Sequence, residues 1–292
     1  MVLIDGKKVA AEIRNELKEK ISIIKEKGMN VPGLVAIIAG DDPASHIYVA
    51  SKGKACLEIG MRTNTEAFDA DISENELMEV INYYNSNKDY HGILVQLPLP
   101  KHINEDKVIE AISPKKDVDG FHPISVGNLV IGKDTFASCT PAGIQELLIR
   151  YKIETKGKHV VVVGRSNIVG KPIANIMLQK AEGANSIVTI VHSAAKDISY
   201  YTKQADILIA AIGKAGMIKA DMVKDGVVVI DVGINRVDDS TKPKGYRIVG
   251  DVDFEMVSKK ASFITPVPGG VGPMTIAMLL SNTFKAYTMY GE

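Results

Sequence analysis

The stretch His159-Val-Val-Val-Val-Gly164-Arg165-Ser166-Asn-Ile-Val-Gly170 decides the reading of the fold. Four consecutive valines describe a strand buried on both faces, as in a parallel sheet covered by helices. The two glycines mark a turn that feeds a helix running to about Ala181. A strand, a glycine turn and a helix N-terminus make a phosphate cradle, because backbone N–H groups and the helix dipole face the anion. The spacing is not GxGxxG, however. Ser166 stands where the middle glycine would be, and the pattern alone serves a purely structural turn as well.

Downstream, the strand Ile187–Val191 ends in His192-Ser193-Ala194-Ala195. NAD-binding folds usually carry a carboxylate near this point for the ribose 2′-hydroxyl. None is present, and Arg165 stands inside the turn. An arginine with a serine hydroxyl suits a 2′-phosphate, so NADP is favoured over NAD; a surface arginine paired with a nearby aspartate is the plainer reading. Further strands are expected at Asp206–Ala211, Gly226–Gly233, Tyr246–Val249 and Ser262–Ile264. Thr265-Pro-Val-Pro268-Gly269-Gly270-Val271-Gly-Pro-Met-Thr275 then leads into a final apolar helix to about Tyr287.

Upstream the same alternation appears. Val9, Ile13, Leu17, Ile21 and Ile24 lie at helical spacing and Gly28 stops the run. Strands are expected at Gly33–Ala39, Arg62–Phe68 and Gly92–Leu97, with helices from Pro43 to about Gly60, from Ser73 behind a capping box, and over about Asn104–Ala111. A turn-rich stretch with a short helical patch fills 113–140, and a helix over 141–152 follows it. Tyr48 and Lys52, four apart, share one face of the second helix. By spacing alone Lys52 is first a solvated surface lysine. Held beside an aromatic ring and apolar strands, its amine would be pushed toward the neutral form and could act as a base. Gln96 could simply end a strand, Asp119-Gly120 could be an ordinary Asx turn, and the Pro-Gly run could be a linker whose glycines also admit a close ligand.

Composition narrows the classes. The chain has 292 residues, 46% hydrophobic and 24% charged, enough for one large or two ordinary domains with a real core. Lys plus Arg equals Asp plus Glu at 35, so neither a nucleic-acid surface nor a membrane-binding basic patch is expected. The two cysteines, Cys56 and Cys139, make neither a disulfide framework nor zinc spacing and suit a reducing, cytoplasmic compartment. The N-terminus has no apolar core for a signal peptide, no run is long enough to span a membrane, and the six histidines form no metal pair. No bound metal is expected.

Several segments together resemble one family. They are Tyr48-Val-Ala-Ser-Lys52-Gly-Lys54, Val95-Gln96-Leu97-Pro98, Lys116-Asp-Val-Asp119-Gly120, Cys139-Thr-Pro, Gly164-Arg-Ser-Asn-Ile-Val-Gly-Lys-Pro172, Asp231-Val-Gly-Ile234-Asn and Pro266–Thr275. In this order they resemble the bifunctional methylenetetrahydrofolate dehydrogenase/methenyltetrahydrofolate cyclohydrolase family, nearly end to end. The resemblance implies oxidation of 5,10-methylenetetrahydrofolate with NADP, then hydrolysis of the methenyl product to 10-formyltetrahydrofolate. It implies that Lys52 is central to the hydrolysis, that Tyr48 packs along the folate, that Gln96 orients the lysine and that Asp119 holds the pterin. Val95, Leu97, Pro268, Gly269, Gly270 and Val271 would line the folate. Gly164, Arg165, Ser166, Ser193 and Ile234 would touch the cofactor.

Two α/β domains with a cleft between them are therefore expected, the second a Rossmann-like NAD(P)-binding domain. The expected division is 1–140 plus 274–292 for the folate-binding domain and 141–273 for the cofactor domain. A homodimer joined through the cofactor domain is implied by the resemblance. Two departures stand out: Ala194 and Ala195 occupy positions where the family commonly has a basic residue and threonine, and Ala211-Ile-Gly-Lys-Ala215 ends in alanine where proline is common. A monofunctional NAD-dependent dehydrogenase is opposed by Lys52. A non-catalytic nucleotide-binding regulator is opposed by the intact set Tyr48, Lys52, Gln96 and Asp119. A shikimate-type dehydrogenase would not need the Pro266–Thr275 loop.

Overall fold

The computed structural model describes residues 1–242 and 244–291; Pro243 and Glu292, which fall within the expected domain ranges, lie outside it. In chain order the elements begin with β1 (Val2–Leu3), α1 (Gly6–Glu26), β2 (Gly33–Ala39), α2 (Pro43–Ile59), β3 (Arg62–Phe68), α3 (Glu74–Ser86) and β4 (Gly92–Val95). There follow α4 (Glu105–Ala111), α5 (Pro123–Val130), α6 (Cys139–Arg150), β5 (His159–Val163), α7 (Gly170–Leu178), β6 (Ile187–Val191), α8 (Ile198–Thr202) and β7 (Ile207–Ala210). The chain closes with β8 (Val228–Asp231), β9 (Asn235–Asp238), β10 (Tyr246–Val249), α9 (Phe254–Val257), β11 (Phe263–Ile264) and α10 (Val271–Tyr290). Among the described residues no helix is long and apolar enough to cross a membrane.

The chain divides into two compact units. One comprises Ala11–Cys139 and Ile276–Glu292 and contains a three-stranded parallel sheet in the order β3-β2-β4. Every residue of the central strand β2 is buried, which is why its sequence is a continuous apolar run. Val35, Ile37, Leu77, Ile81, Ile93 and Val95 form the heart of its core. Helix α3 starts where Ser73 and Glu76 complete the capping box, each side chain bonding the other residue's backbone N–H.

The other unit comprises Met1–Ala10 and Thr140–Thr275. Its six-stranded sheet has the order β1-β11-β8-β7-β5-β6, parallel in every pairing, and β9 and β10 form a separate antiparallel ribbon. Of the interior strands, β5, β7 and β8 are buried almost throughout.

Several expectations are corrected. Residues 1–10 group with the six-stranded unit rather than with the first domain. The reason is backbone pairing: Val2 and Leu3 lie in register with Phe263 and Ile264, and Gly6 leaves room for Gly270 O, which a Cβ would meet at 1.8 Å. Strand β4 stops at Val95, although Gln96 N still donates to Ile37 O at 2.8 Å. Helix α7 ends at Leu178 and α10 starts at Val271, with Pro273 inside its first turn. Strand β9 and helix α8 were not expected; both are short, and neither has an apolar run.

Candidate active site

In the three-stranded unit, α2 carries Tyr48 and Lys52. Asp42 caps this helix by accepting from Ser45 N at 2.9 Å, Pro43 occupies its first turn, and Gly60 ends it in the left-handed conformation at φ 85°. The Lys52 side chain is buried, only 6% exposed, whereas Lys54 is exposed. Its Nζ donates to Gln96 Oε1 at 3.1 Å and lies 4.2 Å from the centre of the Tyr48 ring. Gln96 Nε2 donates to Leu97 O at 2.7 Å, which turns the amide so that its oxygen faces the lysine. Val95 is buried in the core beneath, and Leu97 packs half-buried against the same cluster.

Asp119 belongs to the same electrostatic group. Burial pushes its carboxyl up to about 6, while the Lys52 charge pulls it back. Burial likewise lowers the pKa of Lys52, against the opposing effects of Asp119 and Cys139. The Asp119 loop is tightly built. Asp117, buried, accepts from Phe121 N at 3.1 Å and His122 N at 2.9 Å. Gly120 sits at φ 70°, where a Cβ would meet Phe136 O at 2.6 Å. Cys139 Sγ donates to Val118 O at 3.4 Å and Asp119 Oδ1 at 3.9 Å. From α10, Asn282 Nδ2 donates to Val118 O and Ala137 O at 2.8 and 3.0 Å. The sequence reading assigned no site role to Asp117, Cys139 or Asn282. The first two stand inside quoted motifs; Asn282 is a lone polar residue in an apolar helix and carries no local signal.

In the six-stranded unit, Gly164 follows β5 at φ 134°, and a Cβ there would meet Ala211 O at 2.2 Å. A Cβ on Gly170 would meet Gly164 O at 2.4 Å, so both glycines are required for the turn to close onto α7. Ser166 Oγ accepts from Val169 N at 3.1 Å and Gly170 N at 3.2 Å, which makes it the brace of this turn. Arg165, Ser166 and Ser193 are exposed. Arg165 and Ser193 leave the carboxyl ends of the adjacent strands β5 and β6, which are joined there by Gly164 N donating to Val191 O at 2.8 Å. The first acidic residue after β6 is Asp197, and it caps α8 by accepting from Ser199 N at 2.8 Å. A glycine cradle with an exposed arginine and no competing carboxylate fits a dinucleotide bearing a 2′-phosphate. Ile234, 69% exposed, and Pro268, Gly269, Gly270 and Val271 line one cavity of about 300 Å³ together with Lys7.

Residues 4–119 match the tetrahydrofolate dehydrogenase/cyclohydrolase catalytic domain, and residues 138–290 match the NAD(P)-binding domain of the same family. The chain is 60% identical over 289 residues to the bifunctional protein FolD of Chloroherpeton thalassium, covering 98% of each. The crystal structure of the bifunctional enzyme FolD, methylenetetrahydrofolate dehydrogenase/cyclohydrolase, from Campylobacter jejuni matches with a TM-score of 0.93 at 51% identity over 99% of both chains. The Trypanosoma brucei methylenetetrahydrofolate dehydrogenase-cyclohydrolase, solved with NADP cofactor and an inhibitor, matches with a TM-score of 0.92 at 39% identity, over 99% of this chain and 97% of that one. The chain therefore belongs to the tetrahydrofolate dehydrogenase/cyclohydrolase family.

Proposed function

We propose that this chain is a bifunctional one-carbon folate enzyme. It oxidises 5,10-methylenetetrahydrofolate with NADP to 5,10-methenyltetrahydrofolate and hydrolyses that product to 10-formyltetrahydrofolate. The observation that carries the reading is the buried Lys52 amine, held by Gln96 Oε1 above the Tyr48 ring.

The chemistry follows from the charge of the substrate. NADP, when bound, accepts the hydride from the one-carbon bridge. The methenyl group left on the folate is a cation, and water adds to its carbon. Lys52 takes a proton from that water, the C–O bond forms, and one C–N bond of the bridge breaks to give the formyl group; one proton is released in all. Burial favours the neutral amine, and a cationic substrate nearby favours it further. Gln96, being neutral, positions the amine without stabilising its charged form as a Glu would. We assign Asp119 to the pterin edge, whose adjacent N–H donors suit a carboxylate. Val95 would act through its backbone, since its side chain is buried in the core.

We assign folate binding to Tyr48, Lys52, Gln96, Leu97 and Asp119 of the three-stranded unit, and to the Pro268–Val271 loop. We assign NADP binding to Gly164, Arg165, Ser166, Ser193 and Ile234 of the six-stranded unit. The buried thiols of Cys56 and Cys139 support a cytoplasmic setting. A homodimer through the six-stranded unit is supported by its edge strand β6, where Ile187 and Ile190 are exposed. The deciding experiment compares rates with NADP and NAD on methylenetetrahydrofolate and follows methenyl hydrolysis separately. Faster turnover with NADP and catalysed hydrolysis are expected. Absence of either activity would overturn the bifunctional reading.

A further inference from the structure

The strand order of the six-stranded unit reverses between β5 and β7. From β5 the chain goes first to β6 on one side and then to β7 on the other. In doubly wound sheets the ligand crevice opens beyond the carboxyl ends of the strands at such a reversal. Its two walls here are the turn after β5, beginning at Gly164, and the segment after β7, Ala211–Lys214. The walls touch at Gly164, whose missing Cβ would lie 2.2 Å from Ala211 O. Helix α7 and Ser166 hold the first wall.

The second wall is held differently. Ile212 N and Gly213 N donate to Asp251 Oδ2 at 2.6 and 2.9 Å, and Lys214 N donates to Oδ1 at 2.9 Å. Three successive amides converging on one point form the concave arrangement that commonly takes an anion, and here the anion comes from the chain itself. Asn235 Nδ2 supplies a fourth bond to Oδ1 at 2.8 Å. Asp251 is completely buried, and all four of these donors are neutral. A second buried carboxylate carries it: Asp231 accepts from Asp251 N at 2.9 Å, Val252 N at 3.0 Å and Gly233 N at 2.9 Å. The two acids fit only because their neighbours lack side chains. A Cβ on Gly233 would meet Asp251 Oδ1 at 2.3 Å, and one on Gly250 would meet Asp231 Oδ2 at 1.8 Å.

We infer that Asp251, carried by Asp231, is a positioning residue for the dinucleotide: its carboxylate fixes the Ala211–Lys214 wall of the crevice before the cofactor arrives. The inference rests on the reading that this unit takes NADP. A carboxylate is the side chain able to accept two donors at each of two oxygens in one rigid plane. Burying such a charge without a cation is costly, and a wall needing only stability would be held as well by apolar packing.

The test compares wild type with Asp251→Asn, which keeps the shape but turns an NH2 toward two of the four donors. Calorimetric titration with NADP is expected to show a Kd raised about tenfold or more, the loss of charged hydrogen bonds. In the cofactor-free protein, amide hydrogen exchange at Ile212, Gly213 and Lys214 is expected to quicken about tenfold, reporting the opened wall. Methenyl hydrolysis, which needs no cofactor, is expected to stay within about threefold. A folded Asp251→Asn protein that binds NADP as wild type does overturns the inference, as does a loss of binding matched by an equal loss of hydrolysis. Should that variant not fold, Asn235→Ala decides, because it removes one donor and leaves the carboxylate. Weaker NADP binding with faster exchange supports the inference, and unchanged values overturn it. A wild-type chain that binds no NADP would instead overturn the cofactor reading, while the exchange measurement still tests the brace.

Discussion

Lys52 Nζ donates to Gln96 Oε1 at 3.1 Å, and the other end of the Gln96 amide is engaged by Leu97 O. A buried amine is thus located by a neutral acceptor. Gln96→Glu would put a carboxylate in the same place and favour the ammonium form. The rising limb of the pH profile for methenyl hydrolysis is expected to move alkaline by about one unit or more. An unmoved profile would show that Gln96 does not govern the charge of Lys52.

Lys52→Met keeps most of the apolar stem and removes the amine. Hydrolysis is expected to fall by about 10²–10⁴-fold, the usual contribution of a positioned acid or base. Some hydride transfer is expected to survive, since no proton has to pass through Lys52 in that step. The measurement is the decay of methenyltetrahydrofolate absorbance, corrected for spontaneous ring opening. Hydrolysis at the wild-type rate would exclude the role assigned here.

Asp119 has a carboxyl raised by burial from 3.8 to about 6. The folded chain therefore holds this proton more tightly than the unfolded chain does. The group takes stability away as pH rises from about 3.8 to about 6, and the full cost persists above that range. Asp119→Asn is expected to raise the unfolding free energy measured in denaturant at pH 7.5, by roughly 1–3 kcal/mol, with the gain vanishing below about pH 4. Folate binding is expected to be lost in the same variant. In wild type, KM for methylenetetrahydrofolate is expected to climb as pH falls through about 6. A flat KM over that interval would remove Asp119 from the pterin.

Arg165 lies exposed in the glycine turn, beside a strand end without a carboxylate. Arg165→Ala is expected to raise KM for NADP about tenfold or more and KM for NAD about twofold or less, because only the phosphate is read by charge-assisted hydrogen bonds. Equal losses for both would show that Arg165 does not read the 2′-phosphate.

His91 is a separate, structural titration. It is buried, its Nδ1 accepts from Gly33 N at 3.1 Å, and its ring stands 5.0 Å from that of Tyr287. Burial, aided by the Lys116 charge, lowers its pKa from 6.5 to about 4. The unfolded chain binds this proton more readily, so stability is expected to drop as pH falls from about 6.5 to about 4, by roughly 3 kcal/mol at the lower end. Chemical denaturation at a series of pH values measures the slope. His91→Gln is expected to flatten it, and an unchanged slope would assign the acid sensitivity to other groups.

The parallel α/β character was legible from apolar runs such as Gly33–Ala39 and His159–Val163, since strands buried on both faces cannot hide their composition. Helix starts were legible where capping is local, as at Asp42 and Ser73. The two-residue strand β1 was not, because two residues carry no period and its pairing with Phe263 and Ile264 is settled by chain returning from far away. The half-buried ribbon of β9 and β10 escaped half-seen for a similar reason: Asn235-Arg-Val-Asp offers too little apolar alternation.

The sequence by itself determined the residue types at the candidate site, their order and the family, because motif chemistry is written locally. Only the tertiary structure decided which of them share an environment. It seats Lys52 against Gln96, forty-four positions away, and turns the Gln96 oxygen toward the amine. It sends Ser166 into bracing its own turn, and it closes Asp231 and Asp251 around glycines that no other residue could replace. The physical reason is the same in each case. Burial sets both the cost of a charge and the need for its partners, and burial is a property of chain segments brought together from a distance.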